Sequence, residues 1–505
     1  MTRLLKLTGS TAGLALSLAG PLQADVTAQQ VWDDLSGYMQ GFGYAVTATQ
    51  TPNGDGLTVS DVTMSMDMPD ESGTFAFSMS EVTLANQGDG TVQVTFPTSM
   101  PITFSVREEE DIDVRIDYEH EGLNMIVSGD PDDLVYDYTA DTLKLTLAEL
   151  VVDGETIPRE GARAVISMSD AKGRSTSSIG DLREMEQTMS VTGASYDVAF
   201  SDPDGETSGF FKGSMANLTF EGTSALPLEF DANDMASMMA AGMSGDGEFR
   251  YENGQTEFAA TEEGNTTTGT FSSASAVLGV GLSENSLSYD LGNTDLSVSI
   301  TSPDMPFPID AKMERTAFNL MIPVTASEEP QDMALGLTLG GFTMSEMLWS
   351  IFDSGAQLPR DPATVSANLT GQVTPFVDFF DAEQMAELES SGAVPGELNA
   401  LNLTDLEVSA AGARLTGEGS FTFDNSDLET FDGMPKPTGS VDLQLTGANA
   451  LIDRLIAMGL LAEEDAMGAR MMMSMFTVPA GDDELNSTIE VNEQGHVLAN
   501  GQRIR

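Results

Sequence analysis

Two histidines, His120 and His496, are all the chain offers for imidazole chemistry, and it has no cysteine. The absence of thiols excludes cysteine nucleophiles, thiolate zinc sites and disulfide chemistry. A serine-histidine-acid arrangement or a three-histidine metal site is hard to assemble from so few imidazoles. His120 stands on the apolar phase of Ile112 to Tyr118, just before Glu121-Gly122, where it would cap a hairpin; His496 follows the turn residues Asn492-Glu493-Gln494-Gly495. No Gly-x-Ser-x-Gly elbow, P-loop or dinucleotide fingerprint is present. The sequence thus assigns no catalytic, metal or cofactor-binding residue, and it reads as a non-enzymatic protein.

Carboxylates and thioethers are the remaining groups. Asp130-Pro131-Asp132-Asp133 and Asp202-Pro203-Asp204-Gly205-Glu206 gather the hard oxygens that calcium prefers. Neither matches the twelve-residue calcium loop, and both are also plain turn chemistry. Of the 30 methionines, Met64, Met66 and Met68 alternate along one strand, and Met471-Met472-Met473 with Met475 cluster later. Thioethers suit copper(I), but methionine also fills irregular core gaps and lines adaptable apolar surfaces. A Met- and Phe-rich face would equally hold an acyl chain, and Met64, Met66, Phe75 and Phe77 are the residues that would form it.

These residues belong to strands. From Gly56 to Val106 apolar residues alternate with polar ones as Leu57 and Val59, then Val62, Met64 and Met66, then Phe75, Phe77 and Met79, then Val92, Val94 and Phe96. A period of two is that of half-buried strands, and the Gly-rich segments between them are hairpin turns. The phase slips by one residue at Ser60-Asp61, Ser80-Glu81, Ala148-Glu149, Ala216-Asn217 and Thr404-Asp405, and less clearly at Thr294-Asp295. A slip sends every later side chain to the other face, so each marks a bulge, a bend or a passage to a second sheet. Helices are expected after Thr27, over Asp231 to Met243, after a capping box at Thr343 to Glu346, over Phe376 to Leu388, and over Ala448 to Met475 with a break near Gly459 to Glu464. Asp170 to Ser178 and Glu262 to Thr270 read as exposed loops. The fold class is mainly β: a large curved or twisted antiparallel sheet, half-pipe or sandwich-like, with a few short covering helices. A boundary near 325 would divide a β-rich region 25–325 from a β-rich region 326–505 that holds the helical tract 448–475, and one continuous domain is the other option.

Charge and the first residues give an address. The net charge is −59, which repels nucleic acid and anionic lipid headgroups. Arg3 and Lys6, the apolar stretch Leu14 to Leu18, and Leu22-Gln23-Ala24 before Asp25 have the plan of a secretory signal peptide over residues 1–24, cleaved near Ala24. Its removal takes the charge from −59 to −61. No later apolar run approaches the roughly 18 residues of a membrane span. Export to the periplasm is expected, with no membrane-spanning segment after cleavage.

Leu320-Met321-Ile322-Pro323-Val324, Pro330-Gln331-Asp332, Leu358-Pro359-Arg360-Asp361-Pro362-Ala363-Thr364, and the ending Ile489-Glu490-Val491 to Ala499-Asn500-Gly501-Gln502 resemble a Gram-negative envelope family, domain-of-unknown-function family 2125. The resemblance covers nearly the whole mature chain and implies no site residues. Leu406-Glu407-Val408 to Gly412 and Leu415-Thr416-Gly417-Glu418-Gly419 are more distantly similar to AsmA-type envelope proteins. That likeness implies long curved sheets whose apolar inner faces hold or conduct lipid, although those proteins are usually membrane-anchored. The leading expectation is a protein that holds lipid or another apolar ligand in envelope homeostasis, with lipid or an envelope protein as partner. The alternatives are a structural or protein-interaction role without ligand, and a calcium-dependent enzyme acting on polysaccharide.

Overall fold

The computed structural model describes residues 25–67, 73–107, 111–202, 205, 207–229, 231 and 234–505. The chain enters through α1 (Ala28–Gly41), where Thr27 and Gln30 form a reciprocal capping box. A succession of antiparallel strands follows, all in one sheet. The first hairpins are β1 (Ala45–Asn53), β2 (Gly56–Asp67) and β3 (Thr74–Asn86). The sheet then forks. One half of β3 pairs with β5 (Ser99–Arg107), which pairs with β6 (Asp111–Glu121); the other half pairs with β4 (Val92–Thr95), which pairs with β7 (Asn124–Asp130). Both tracks rejoin on the twenty-residue β8 (Asp133–Val152), which carries the short β9 (Glu155–Ile157) at one end.

From β8 the ladder runs in sequence order through β10 (Ala162–Ile179), β11 (Leu182–Ser201), β12 (Thr207–Pro227), β13 (Ser244–Glu262), β14 (Asn265–Leu282), β15 (Ser286–Thr301), β16 (Ile309–Pro323), β17 (Gln331–Met344), β18 (Ala363–Pro375), β19 (Gly396–Ala410), β20 (Ala413–Asp424) and β21 (Lys436–Thr446). It ends on β22 (Val478–Gly481), β23 (Glu484–Val491), β24 (Val497–Ala499) and β25 (Gln502–Arg503). The sheet does not close into a barrel, so it has two edges. Short helices interrupt it: α2 (Met235–Ala240), α3 (Glu346–Trp349), α4 (Ala382–Ser391), α5 (Ala448–Ala457) and α6 (Glu463–Phe476).

Several helix boundaries differ from expectation. Thr343 and Met344 end β17, and the α3 N-cap Ser345 makes no side-chain bond, so the expected capping box is not formed. The expected helix over Phe376 to Leu388 starts six residues later, at Ala382, because the Asp381 carboxylate caps the amides of Glu383 and Gln384. The tract 448–475 is broken where expected, into α5 and α6.

The two expected loops are strand. Asp170 to Ser178 lies within β10, and Asn265 to Thr270 opens β14, leaving only Glu263-Gly264 as the turn. Glycine misleads in both for one reason. A Cβ on Gly173 would stand 2.2 Å from the Tyr138 ring, and one on Gly269 would stand 2.4 Å from the Phe258 ring. Each glycine lies beneath a cross-strand aromatic that covers its bare backbone.

The accessible surface of 29252 Å² compares with roughly 18,000 Å² for a compact monomer of 53.5 kDa. Among the described residues, two clusters of buried side chains stand out. In the first, Val31 and Trp32 of α1 pack on Leu57, Val59, Val62, Val82, Leu84, Val92, Val94, Val127 and Leu134. The second is described below.

Candidate functional site

The site is built by a line of left-handed residues that crosses the strands. Asp170, Asn217, Asn253 and Asp295, in β10, β12, β13 and β15, have φ of 51°, 49°, 52° and 50°. The registers place them on one line. Thr192 of β11 faces Asn217, Ala274 of β14 faces both Asn253 and Asp295, and Glu314 of β16 faces Gly341 of β17, whose φ is 68°. At the other end of the sheet Asp61 of β2, with φ 52°, faces Ser80 of β3. Asp and Asn tolerate this conformation better than other residues with a Cβ, since their short polar side chains bond locally. Three of the expected slips, at Asp61, Asn217 and Asp295, therefore fall on left-handed residues; the register shifts by one at Asp61 against β1 and at Asn217 against β13, and holds through Asp295. Those at Ala148-Glu149 and Thr404-Asp405 are register shifts in β8 and β19. Ser80-Glu81 keeps register and instead sits opposite the bulge at Asp61.

The consequence is a crease. Ala140, Ala171, Val191 and Leu218, each one residue from this line, are buried in the second cluster. Met168, Ala194 and Met215 from one side of the line pack there with Met189, Phe249 and Tyr251 from the other. Side chains from both panels meet only if both apolar faces lie on the same side of the sheet and the sheet bends toward it. The phase slip is thus what keeps the apolar face continuous while the backbone turns, and the result is a trough.

Cross-strand rows line it. Leu278, Leu291, Phe318, Leu337, Ala367 and Leu406 stand side by side on β14 to β19, and Val280, Tyr289, Leu320, Leu335, Leu369 and Leu403 form the next row. On the opposite panel Tyr196 stacks on Phe211 at 5.0 Å and Phe258 on Phe271 at 5.3 Å. Leu278, Val280, Tyr289, Leu291, Leu335 and Leu337 remain 37–43 % exposed. The outer face is polar and carries cross-strand ion pairs such as Arg163–Asp197 at 2.7 Å and Lys212–Glu257 at 3.2 Å. Met64 pairs with Phe77 and Met66 with Phe75, so these four residues form one patch on the inner face near the β1 end; Met68 lies outside the described residues.

Each end of the trough is covered by helix. At the N-terminal end α1 lies on the inner face, held by a buried polar cluster. Asp34 contacts the Arg183 guanidinium at 2.7 Å and accepts the Tyr136 hydroxyl at 2.8 Å; Arg183 also donates to Ser177 Oγ and covers the Tyr38 ring. Burial, and then the Asp34 charge, push the Tyr136 phenol far above its ordinary range, so it stays a donor. At the C-terminal end α6 stands over β20, β21 and β23. Ala469, Met472, Met473 and Phe476 face Leu415, Leu443, Leu445, Leu485 and Ile489 across a cleft of about 590 Å³. Asp483 fixes this helical pair by accepting the amides of Asn449 and Ala450 at the start of α5.

The other candidate residues do not converge. His120 is buried on the inner face, its Nε2 3.2 Å from the Phe96 carbonyl, and it is a strand residue of β6 rather than a hairpin cap. Asp130 and Asp133 end β7 and start β8, and Asp133 accepts the Ser178 hydroxyl. Asp204 and Glu206 lie outside the described residues. Among the described residues no three His, Asp or Glu side chains stand together as a metal site would need, and no helix is long and apolar enough to cross a membrane. Met471 and Met475 point outward from α6, 68 % and 58 % exposed, while Met473 lines the cleft.

The motif Leu358-Pro359-Arg360-Asp361-Pro362 follows a buried carboxylate. Asp353 accepts the amides of Gln357 and Leu358 and the Arg360 guanidinium at 2.6 Å, and Arg360 stacks on Trp349. Burial alone would raise this carboxyl, but its hydrogen bonds and the Arg360 charge hold it below the ordinary carboxylate range. The motif therefore fixes the turn between β17 and β18.

No curated protein and no solved structure matches the chain. A family model does match, over residues 216–499, a span that holds β13 to β23 and the Asp353 turn but leaves α1 and the first strands outside it. The chain belongs to the family described as an uncharacterized protein conserved in bacteria, DUF2125.

Proposed function

We propose that this is a non-enzymatic periplasmic protein that holds an extended apolar ligand, an acyl chain of a lipid, along the trough. The observation that carries the reading is the half-exposed double row of Leu, Val, Tyr and Phe across β14 to β19. Soluble monomers rarely expose contiguous apolar patches beyond a few hundred Å² unless something covers them. A ligand lying over Leu278, Val280, Tyr289, Leu291, Leu335 and Leu337 would remove roughly 400 Å² of apolar surface, worth about 10 kcal/mol gross at ~25 cal/mol per Å². Ordering the ligand offsets part of this, and micromolar or tighter binding is within reach. The cleft under α6 continues the same face and accepts a chain end.

Direct titration with a fluorescent fatty acid tests the proposal. Saturable binding to the exported chain is expected, weakened at least tenfold in Leu337→Glu, whose side chain stands in the middle of the row. Binding that ignores Leu337→Glu, or that is non-saturable, would overturn it.

A further inference from the structure

A cavity of about 200 Å³ lies on the inner face where the second half of α1 meets the ends of β11 and β12. It is lined by Gly37 and Tyr38 of α1, by its C-cap Phe42, and by Arg183, Leu226 and Leu228. Its one charged group is Arg183, which is 8 % exposed. Nη1 of Arg183 is spent on Asp34 and Ser177, and among the described residues Nε and Nη2 meet no acceptor. A buried guanidinium normally has its N–H groups paired, so these donors, at the wall of a cavity, call for an acceptor from outside the chain.

Charge and path select the ligand. The Asp34 carboxylate already balances Arg183 at 2.7 Å, so a second carboxylate would set two negative charges against one positive, in a molecule of net charge −59. A neutral carbonyl oxygen accepts the same hydrogen bonds without that cost. Beside the cavity, the inner-face register runs through Met185, Ser224, Gly245, Leu282 and Leu287 across β11 to β15, alongside Val280 and Tyr289. Four strand spacings of about 4.8 Å make this rim roughly 19 Å long. One acyl chain, which spans roughly 15 Å as half of a ~30 Å hydrocarbon core, fits along it.

On the basis that the trough holds an acyl chain, we propose that the cavity is the head-group end of the site and takes the carbonyl of a neutral acyl ester. Arg183 donates to that carbonyl, and the chain lies along the rim over Leu282 and Leu287.

Gly37 supplies a variant that spares the fold. A Cβ there meets nothing within 4 Å, so a leucine side chain has open space at the cavity wall, and leucine favours helix over glycine. Calorimetric titration of the protein at neutral pH with monolauroylglycerol and with laurate, below their micelle-forming concentrations, compares one chain with a neutral and a charged head. The ester should bind at least tenfold more tightly than laurate. G37L should weaken ester binding at least tenfold with a thermal melt no lower than the parent's, and Val280→Glu should weaken it as well. Laurate as tight as the ester, or an ester that ignores G37L while Val280→Glu still weakens it, would overturn the head-group assignment and leave the trough reading standing. Failure of both ligands to bind would overturn the two together.

Discussion

Asn217 offers a direct handle on the crease. It sits inside β12 at φ 49°, and its side chain donates to Glu252 at 2.8 Å in an exposed position. Replacing it with valine puts a β-branched residue into the left-handed region, which costs about 1–2 kcal/mol, and also removes that hydrogen bond, worth about 0.5–1 kcal/mol. Glycine removes the same bond but adopts the conformation freely. The two variants therefore isolate the backbone term: Asn217→Gly should fall within about 1 kcal/mol of the parent, and Asn217→Val should be about 1–2 kcal/mol worse than Asn217→Gly. If β12 instead relaxed to regular strand, Leu218 and Phe220 would turn to the outer face and Leu218 would leave its buried cluster. Hydrogen exchange on peptides covering Thr207 to Pro227 reads the local cost, which a global melt of so long a sheet would blur. Valine equal to glycine in protection, with Leu218 still shielded, would refute the view that left-handed residues set the crease.

The remaining predictions concern the ends and the turn. Asp34→Ala leaves the buried Arg183 unpaired and should cost about 3–5 kcal/mol, seen as protease cleavage within α1, while Asp34→Leu combined with Arg183→Met should restore most of the protection. The Asp353 carboxyl is held below its unfolded value, so its contribution is present above about pH 4 and is lost as pH falls further; acid unfolding followed between pH 5 and 2 should be less steep in Asp353→Asn. Asp483→Ala removes the cap on α5 and should cost about 1 kcal/mol, read as faster exchange over Ala448 to Ala457.

The architecture was legible in the sequence wherever alternation was unbroken, because period two has one structural meaning. The helix after Thr27 and the helix break near Gly459 were equally plain, whereas the capping box at Thr27 emerges only in the structure. Slips at Asp61, Asn217 and Asp295 were legible because an acid or amide interrupts a clear apolar phase. Those at Asp170 and Asn253 were not, since the flanking Ser169, Lys172, Glu252 and Gln255 are polar on either phase. The strands at 170–178 and 265–270 were hidden for a related reason: Gly173 and Gly269 look like loop residues until the aromatic ring above each is known. The patch of Met64, Met66, Phe75 and Phe77 was found from alternation, but the longer rows across β14 to β19 were not, since a row forms only once cross-strand register brings distant residues together. The latch of Asp34, Tyr136 and Arg183 left no local signal, as Asp34 lies 102 residues from Tyr136 and farther still from Arg183.

The most direct measurement is native mass spectrometry, with lipid extraction, of the protein purified gently from the cells that make it. A stoichiometric co-purifying lipid or acyl species, lost in Leu337→Glu, is what the trough predicts. A clean apo mass for the parent protein, unchanged after incubation with fatty acid, would contradict it.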